Sequence, residues 1–259
     1  MAWNPDVYNK FKSERFAPFV DLLALIDPVP NMRVIDLGCG TGELTRKLSD
    51  ALPGSVVLGI DSSKEMLDES KAFANAHLQF EQRSIEEQIR DTRKWDLVFS
   101  NAAIQWVDDH ESLLPQLMAM VEPGGQIAIQ LPNQQQNAAN LILSKLAGQL
   151  PYRELLKGWN RQSPVLTIDE YAQLLFKGGA TNINLFEKIY PVIAADSNAL
   201  YDWVSGTALI PYLEKLNEEQ RAQFTAAFKE KLKLHFPGSP VFYPFRRILM
   251  QAKVPTQRR

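Results

Sequence analysis

A glycine-rich segment, Asp36-Leu37-Gly38-Cys39-Gly40-Thr41-Gly42, constrains this chain more than any other part of its sequence. The apolar run 33–37 leads into it, and a helical pattern over 42–52 follows. A sharp turn from a strand to a helix needs residues that tolerate positive φ angles, and glycine does so because it lacks a Cβ atom. The backbone N–H groups of such a turn can approach a ligand closely at the helix N-terminus. The segment therefore predicts a ligand-binding loop that joins a strand to a helix.

Apolar runs and helical patterns alternate over the first half of the chain. Short apolar runs that alternate with helices predict crossover connections and a mostly parallel sheet with helices on its faces. Two further strands are predicted over 183–192 and 247–254, with a long helical stretch at 197–236 between them. Helices are also predicted over 3–30, ended by Pro28 and Pro30, over 141–156, and from Thr167 onward, where Glu170 three residues on indicates a capping box. The five predicted strands of the first half are 33–37, 56–61, 78–82, 95–100 and 126–131, and the helices between them are 42–52, 63–75 and 111–121.

Net charge, cysteine content and the N-terminal segment indicate where the protein works and which partners it lacks. The chain has 259 residues and a formal net charge of −2, so no overall field draws it to nucleic acid or to a membrane. Its single cysteine excludes an internal disulfide framework, which suits a reducing compartment. The N-terminal residues 1–10 lack the apolar stretch of a signal peptide. We therefore expect a cytoplasmic protein that binds neither nucleic acid nor membranes; no metal is expected, and the oligomeric state stays open.

The residues beside the loop indicate the class of ligand. A dinucleotide fingerprint would place its third glycine at position 43, but Glu43 stands there, and a carboxylate would repel a pyrophosphate. No Gly-Lys-Ser/Thr follows, which excludes a P-loop. Asp61 ends the second predicted strand, where a carboxylate can accept hydrogen bonds from ribose hydroxyls; capping of the next helix is the alternative, and the two are compatible.

Three motifs together resemble the class I methyltransferases that use S-adenosylmethionine (SAM) and release S-adenosyl-L-homocysteine (SAH). They are 34–42, Gly59-Ile60-Asp61 and Pro123-Gly124-Gly125. The resemblance implies a Rossmann-like α/β fold, a seven-stranded mostly parallel sheet whose last strand is antiparallel. It implies that Ser84, which replaces the family's usual aspartate, contacts adenine with the Ile85 backbone. The cofactor-binding residues that it implies are Asp36, Gly38, Cys39, Gly40, Asp61, Ser62, Met66, Ser84, Ile85, Asn101, Ala102 and Trp106.

A narrower resemblance, to the trans-aconitate 2-methyltransferase family, covers nearly the whole chain. It is carried by Asn101–Trp106 with the following Asp109-His110, by Trp3-Asn4-Pro5 with Tyr8 and Arg15, and by 206–213 and 243–247. It implies methyl transfer to a carboxylate oxygen of a small polycarboxylic acid. Two histidines expected after 131–133 and near 190–192 are not present. Arginine binds such an acid well because its guanidinium pairs with carboxylates through two hydrogen bonds. The predicted substrate-binding residues are Tyr8, Arg15, Trp106, Arg161, Tyr201, Tyr212 and Arg246.

A carboxylate acceptor is already ionised at neutral pH and needs no general base. We therefore name no catalytic residue, and we interpret His77 and His110 as surface or capping residues. Arg246 and Arg247 are predicted to point to opposite faces of a strand, so that at most one faces the site. A methyltransferase that esterifies a malonyl group on a carrier protein, and a SAM-binding module without activity, are the alternatives.

The domain plan that follows is one methyltransferase domain over 1–259. It is divided into an N-terminal helical cap at 1–30, a SAM-binding core at 31–132, and helical substrate-side insertions at 133–165 and 196–245.

Overall fold

The computed structural model describes residues 12–256. The strands are β1 (Arg33–Leu37), β2 (Val56–Asp61), β3 (Leu78–Gln82), β4 (Trp95–Asn101), β5 (Val121–Pro132), β6 (Thr181–Ala194) and β7 (Val241–Lys253). The helices are α1 (Lys12–Leu23), α2 (Glu43–Ala51), α3 (Lys64–Ser70), α4 (Ile85–Gln88), α5 (His110–Ala119), α6 (Ala138–Ala147), α7 (Tyr152–Leu155), α8 (Ile168–Lys177), α9 (Ser197–Ser205), α10 (Ile210–Leu213) and α11 (Glu218–His235), with 3-10 turns at Lys71–Phe73 and Ile104–Trp106.

The strands form one seven-stranded sheet in the order β3-β2-β1-β4-β5-β7-β6. The β1 strand pairs in parallel with β2 on one side and with β4 on the other, while β7 pairs antiparallel with β5. The α/β class, the seven strands and the antiparallel last strand are thereby confirmed. The chain moves outward from β1 to β3 and then returns to β4, so the order reverses between β1 and β4. Ligands of such sheets bind beyond the carboxyl ends of the strands at this switch point.

The chain forms two compact units, which we call the sheet unit and the helical unit. The sheet unit has its own core, in which side chains such as Ile35, Val98 and Leu117 are fully buried. It consists of Pro18–Pro132, Pro164–Lys188 and residues 247–256. The domain boundaries suggested by the sequence stay a prediction.

The helical unit consists of residues 12–17, Asn133–Ser163 and Ile189–Arg246. Its core is rich in aromatic rings, and Phe224 and Phe228 on α11 are fully buried in it. None of the helices described over 12–256 is long and apolar enough to cross a membrane.

One helical prediction differs from the structure. The stretch 141–156 was expected to be one helix, but α6 ends at Ala147 and α7 begins at Tyr152. Pro151 stands between them, and proline has no N–H group to continue the helical hydrogen bonds. The helical stretch predicted over 197–236 is present and consists of α9, α10 and α11. The first helix, α1, ends at Leu23, five residues before Pro28.

The N-terminus of α8 carries the capping box that the sequence predicts. Thr167 Oγ1 accepts a hydrogen bond from Glu170 N at 3.3 Å, and Glu170 Oε2 accepts one from Thr167 N at 2.8 Å. Both bonds satisfy backbone N–H groups that have no partner inside the helix.

We expect Thr167→Ala to lower the free energy of unfolding by about 1 kcal/mol, because the first turn of α8 loses its cap. Urea denaturation followed by circular dichroism measures this. Thr92 is exposed in a loop and forms no hydrogen bond to another described residue, so Thr92→Ala serves as the control and should change nothing measurable. Equal losses in the two variants would contradict the capping role.

Candidate cofactor site at the switch point

The glycine loop after β1 adopts the backbone conformation that its sequence predicts. Gly38, Gly40 and Gly42 have φ angles of 79°, 56° and 79°, in the left-handed region that residues with a Cβ rarely adopt. Gly38 is also needed for space, since a Cβ atom there would lie 2.2 Å from Ala103 Cβ. A Cβ atom on Gly40 would meet no atom within 4 Å. The loop thus packs closely against the segment after β4 at Gly38 and leaves open space at Gly40.

Asp61, at the end of β2, connects the loop to the start of α3. Its Oδ2 accepts a hydrogen bond from Gly40 N at 2.9 Å, and its Oδ1 accepts one from Ser63 N at 2.9 Å. The alternative reading, that Asp61 caps α3, is wrong: Ser63 is the N-cap, and its Oγ accepts from Met66 N at 3.2 Å. Each carboxylate oxygen can accept a second hydrogen bond, so the half-buried Asp61 keeps capacity for two hydroxyl groups.

Asp36 lies under the loop and is almost completely buried. Its Oδ2 accepts a hydrogen bond from Thr45 Oγ1 at 2.7 Å, whereas its Oδ1 has no hydrogen-bond partner among the described residues. Burial raises the pKa of the Asp36 carboxyl to about 7, and the nearby charge of Asp61 adds to this, while the bond from Thr45 opposes it. A buried acceptor without a donor is costly, which indicates that a ligand supplies one.

Two further predicted cofactor residues lie where α4 begins. The Ser84 hydroxyl accepts a hydrogen bond from Glu87 N at 3.1 Å, and Ser84 N donates to Glu87 Oε2 at 2.8 Å. This capping box uses the acceptor side of the hydroxyl, so Ser84 can still donate its O–H to a ligand. Ile85 is buried behind it, and Ser62, on the neighbouring turn, is exposed.

The segment after β4 turns sharply beside the glycine loop. Ala102 has a φ angle of 57°, and its N–H donates to Gln130 O at 2.8 Å. Gln105 Nε2 donates to Ala102 O at 2.7 Å, which fixes the turn from inside. The Trp106 ring ends this segment and is 46% exposed, a large fraction for an indole. An exposed aromatic ring beside a ligand site can cover a bound molecule.

His110 anchors the same segment from the core. It is buried, Nε2 donates to Ile104 O at 2.9 Å, and Nδ1 accepts from the Tyr171 hydroxyl, which in turn accepts from Leu166 N at 3.2 Å. Burial lowers the pKa of His110. The interpretation of His110 as a surface or capping residue is therefore wrong, since Asp109 caps α5. His77 is exposed, as expected.

Cys39 lies in the loop with its thiol buried. Burial raises the pKa of this thiol, and the negative charges of Asp36 and Asp61 raise it further. The thiol is therefore protonated at neutral pH and is not a nucleophile. Its backbone N–H donates to Ile60 O at 2.9 Å, so this residue serves the shape of the loop.

Most of the predicted substrate residues belong to the helical unit. Tyr8 lies outside the described residues, and for Arg15 only the helical backbone is described. Tyr212 is buried, stacks on Phe224 and donates its hydroxyl to Asn160 Oδ1 at 3.0 Å. Tyr201 packs against Phe228, and Lys229 Nζ lies 4.3 Å from the Tyr201 ring centroid.

The candidate arginines differ in burial. Arg161 and Arg246 are half-buried in the helical unit, and the Arg246 backbone is held by Asn137, whose Oδ1 accepts from Arg246 N at 2.8 Å. Arg247 is buried in the sheet unit, where its Nη1 donates to Gln130 Oε1 at 2.6 Å. Arg247 thus has a structural partner. The substrate role of the other arginines stays a prediction.

The hydrogen-bond acceptors of the switch point fit SAM. Its methionine part brings an ammonium group, which the buried Asp36 Oδ1 can accept, and its ribose brings two hydroxyl groups, which Asp61 can accept. The open space at Gly40 admits a ligand close to the backbone. A sulfonium cation is also favoured by two nearby carboxylates.

Several residues that hold the site residues in place through hydrogen bonds were not predicted from the sequence. Gln130 lies 29 positions from Asn101, Arg247 lies 117 positions from Gln130, and His110 lies 61 positions from Tyr171, so these contacts form only in the folded chain. Thr45 is nine positions from Asp36, with the loop between them. The two buried glutamines of β5, Gln126 and Gln130, were a local signal, because a buried amide side chain needs hydrogen-bond partners.

Gly38 and Gly40 allow the effects of strain and of space to be separated. We expect Gly40→Ala to lower the free energy of unfolding of the ligand-free protein by about 1–2 kcal/mol, from backbone strain alone. Gly38→Ala should cost about 1–3 kcal/mol more, because its Cβ atom would overlap Ala103. Urea denaturation measures both, and Ala103→Gly should recover part of the loss in the Gly38→Ala protein. No recovery would contradict the close contact.

Comparisons with known proteins identify the family of this chain. Residues 8–185 match the family described as "Methyltransferase domain". The trans-aconitate 2-methyltransferase of Deinococcus radiodurans is 42% identical, over 98% of this chain and 99% of its own. That of Mycobacterium tuberculosis is 34% identical, over 99% and 98%.

Solved structures show the same fold at low sequence identity. The YcgJ protein of Bacillus subtilis is 14% identical, with a TM-score of 0.61 over 93% of this chain and 99% of its own. A phosphoethanolamine N-methyltransferase of Haemonchus contortus, solved with SAM, is 17% identical, with a TM-score of 0.55 over 92% of this chain and 52% of its own. The matched domain family and the relatives that match nearly end to end show what the chain is: a SAM-dependent methyltransferase that belongs to the family of the trans-aconitate 2-methyltransferases.

Proposed function

We propose that this methyltransferase esterifies one carboxylate of trans-aconitate, giving a monomethyl ester and SAH. The observation that carries the proposal is the near full-length similarity to enzymes named for that reaction. Because the two histidines of the expected pattern are missing, this chain must contact the substrate at those positions through other residues.

Neither histidine described in the sheet unit is placed to act as a base, which supports a carboxylate acceptor. His110 is buried, and both of its ring nitrogens form hydrogen bonds. His77 precedes β3 and so lies at the amino ends of the parallel strands, whereas the glycine loop lies at their carboxyl ends. A carboxylate oxygen needs no deprotonation at neutral pH. When bound, SAM supplies a methyl group activated by its sulfonium; the carboxylate oxygen takes this group, and the electron pair of the broken C–S bond stays on sulfur.

The protein's own residues then have three tasks. Asp36 holds the methionine part of the cofactor, Asp61 holds its ribose and Ser84 donates to its adenine, while the Asn101–Trp106 segment borders the reacting methyl group and excludes water. Orientation and the exclusion of water provide most of the acceleration in such a transfer. The remaining predicted cofactor contacts are Gly38, Cys39, Gly40, Ser62, Met66, Ile85 and Ala102.

Cationic residues of the helical unit would hold the acid. Arg161 and Arg246 are half-buried, so their guanidinium groups pair with carboxylates more strongly than fully exposed ones would. Tyr212 fixes Asn160, the residue before Arg161, through its hydroxyl. We propose Tyr8, Arg15, Trp106 and Tyr201 as further substrate contacts. We also propose that the enzyme works in the cytoplasm, on small molecules rather than nucleic acid.

An assay with SAM and a panel of acids tests this function. We expect trans-aconitate to give SAH with a kcat/KM at least about tenfold above those of cis-aconitate, citrate and isocitrate, since the acceptor must be aligned and not merely bound. A malonyl-loaded carrier protein in the same panel tests the alternative acceptor. Turnover with the carrier protein and none with any free acid would overturn the proposal.

The raised pKa of Asp36 predicts how SAM binding depends on pH. Only the ionised carboxylate attracts the ammonium group, so the affinity should rise as the pH increases through about 7. A single group with that pKa gives a rise of up to about tenfold between pH 6 and pH 8. Isothermal titration measures it, and Asp36→Asn should bind more weakly and without this rise.

The ligand-free protein should show the opposite trend. Because the folded-state pKa of Asp36 is raised, its contribution to stability is present below about pH 4 and is lost as the pH rises through about 7. The wild type should therefore lose stability relative to Asp36→Asn over this range, as measured by urea denaturation. Parallel pH profiles of the two proteins would contradict the raised pKa.

A further inference from the structure

A chain of three polar side chains runs beneath the segment after β4. Arg247 Nη1 donates to Gln130 Oε1 at 2.6 Å, and Gln130 Nε2 donates to Asn101 Oδ1 at 2.7 Å. Arg247 and Gln130 are buried, on the adjacent strands β7 and β5, while Asn101 is half-buried at the end of β4. All three belong to the sheet unit.

The direction of this chain is fixed by Arg247. A guanidinium group has only donors, so it must face the oxygen of the Gln130 amide. The Gln130 NH₂ group then faces Asn101, and Asn101 accepts this hydrogen bond through its side-chain oxygen. The Asn101 NH₂ group therefore points away from the chain, and Nδ2 forms no hydrogen bond to another described residue.

Asn101 lies beside the glycine loop. Asp36 pairs with Phe99 in the β1–β4 register, so Asn101 is level with Gly38, which packs against Ala103. The amide donor thus stands at the switch point, on the side of β1 opposite to Asp61 on β2. A donor here meets the part of a ligand that extends from the ribose toward β4.

We propose that Arg247 and Gln130 are positioning residues that turn Asn101 Nδ2 outward, as a neutral N–H donor to a ligand carboxylate. The inference deepens the proposed function and rests on it for one of the two carboxylates concerned: that of the methyl acceptor. The other source is the carboxylate of the methionine part of SAM. A neutral donor orients a carboxylate oxygen and leaves its negative charge in place, which suits an oxygen that must attack.

Gln130→Glu reverses the hydrogen bond between residue 130 and Asn101 while keeping the shape of the side chain. One glutamate oxygen still accepts from Arg247, now as an ion pair, but the other cannot donate and repels Asn101 Oδ1. The Asn101 amide then turns over, donates Nδ2 inward and presents its oxygen to the ligand. An oxygen facing a carboxylate should weaken binding about tenfold or more, the value of a charge-assisted hydrogen bond.

Isothermal titration gives the readout, in two arms. Titration of SAH measures the cofactor arm, and titration of trans-aconitate into the SAH complex measures the acceptor arm. A loss of about tenfold or more in either arm supports the proposal and identifies which carboxylate Asn101 holds. If the wild type binds no acid, the proposed function fails on its own, and the SAH arm alone decides the inference.

A double-mutant cycle separates positioning from general damage. In the Asn101→Ala background there is no amide to turn, so Gln130→Glu should change the affinity by less than about twofold. An equal loss in both backgrounds, or no loss in either arm, would overturn the proposal.

Two more variants complete the test: one is a matched control, and the other replaces Gln130→Glu if that protein does not fold. Gln126 is another buried glutamine of β5, bonded to Asp27 at the far end of the strand, so Gln126→Glu should leave both affinities unchanged. If Gln130→Glu does not fold, Asn101→Asp replaces it: an aspartate oxygen still accepts from Gln130, and the outward donor becomes an acceptor. Unchanged affinity in Asn101→Asp, in both arms, would equally overturn the proposal.

Discussion

The hydrogen bonds of the Asp61 carboxylate are the constraint on which the rest of the cofactor site depends. One oxygen holds Gly40 N in the glycine loop, and the other holds Ser63 N at the start of α3. The ends of β1 and β2 are therefore fixed to each other beyond the last pair of the sheet. A binding loop of small residues has little rigidity of its own, and this carboxylate provides it before any ligand arrives.

The other side of the switch point is held by neutral groups. Ala103 packs against Gly38, His110 fixes the Ile104 carbonyl, and Gln130 fixes Asn101 and Ala102. These are hydrogen bonds without a group that exchanges a proton at neutral pH. Among the described residues, the two carboxylates of the switch point therefore lie on the side of the glycine loop and β2, and hydrogen bonds of amide and imidazole groups hold the side of β4.

Local patterns predicted the fold and the loop because their physical causes are local. The glycines at 38, 40 and 42 have positive φ angles, the capping box at Thr167 is present, and the apolar runs became strands. The supports of the site were not predictable, because Gln130 meets Arg247, 117 positions away in sequence, and His110 meets Tyr171 only when the chain is folded. The break between α6 and α7 had a local cause in Pro151, which the apolar periodicity over 141–156 concealed.

Cys39 has a practical consequence. It is the only cysteine of the chain, it is buried within the cofactor loop, and its thiol stays protonated. A thiol in that state reacts with an alkylating reagent only when the loop opens. The rate at which the native protein is alkylated therefore measures how often this loop opens, and a bound cofactor should slow that rate without any label or engineered probe being introduced.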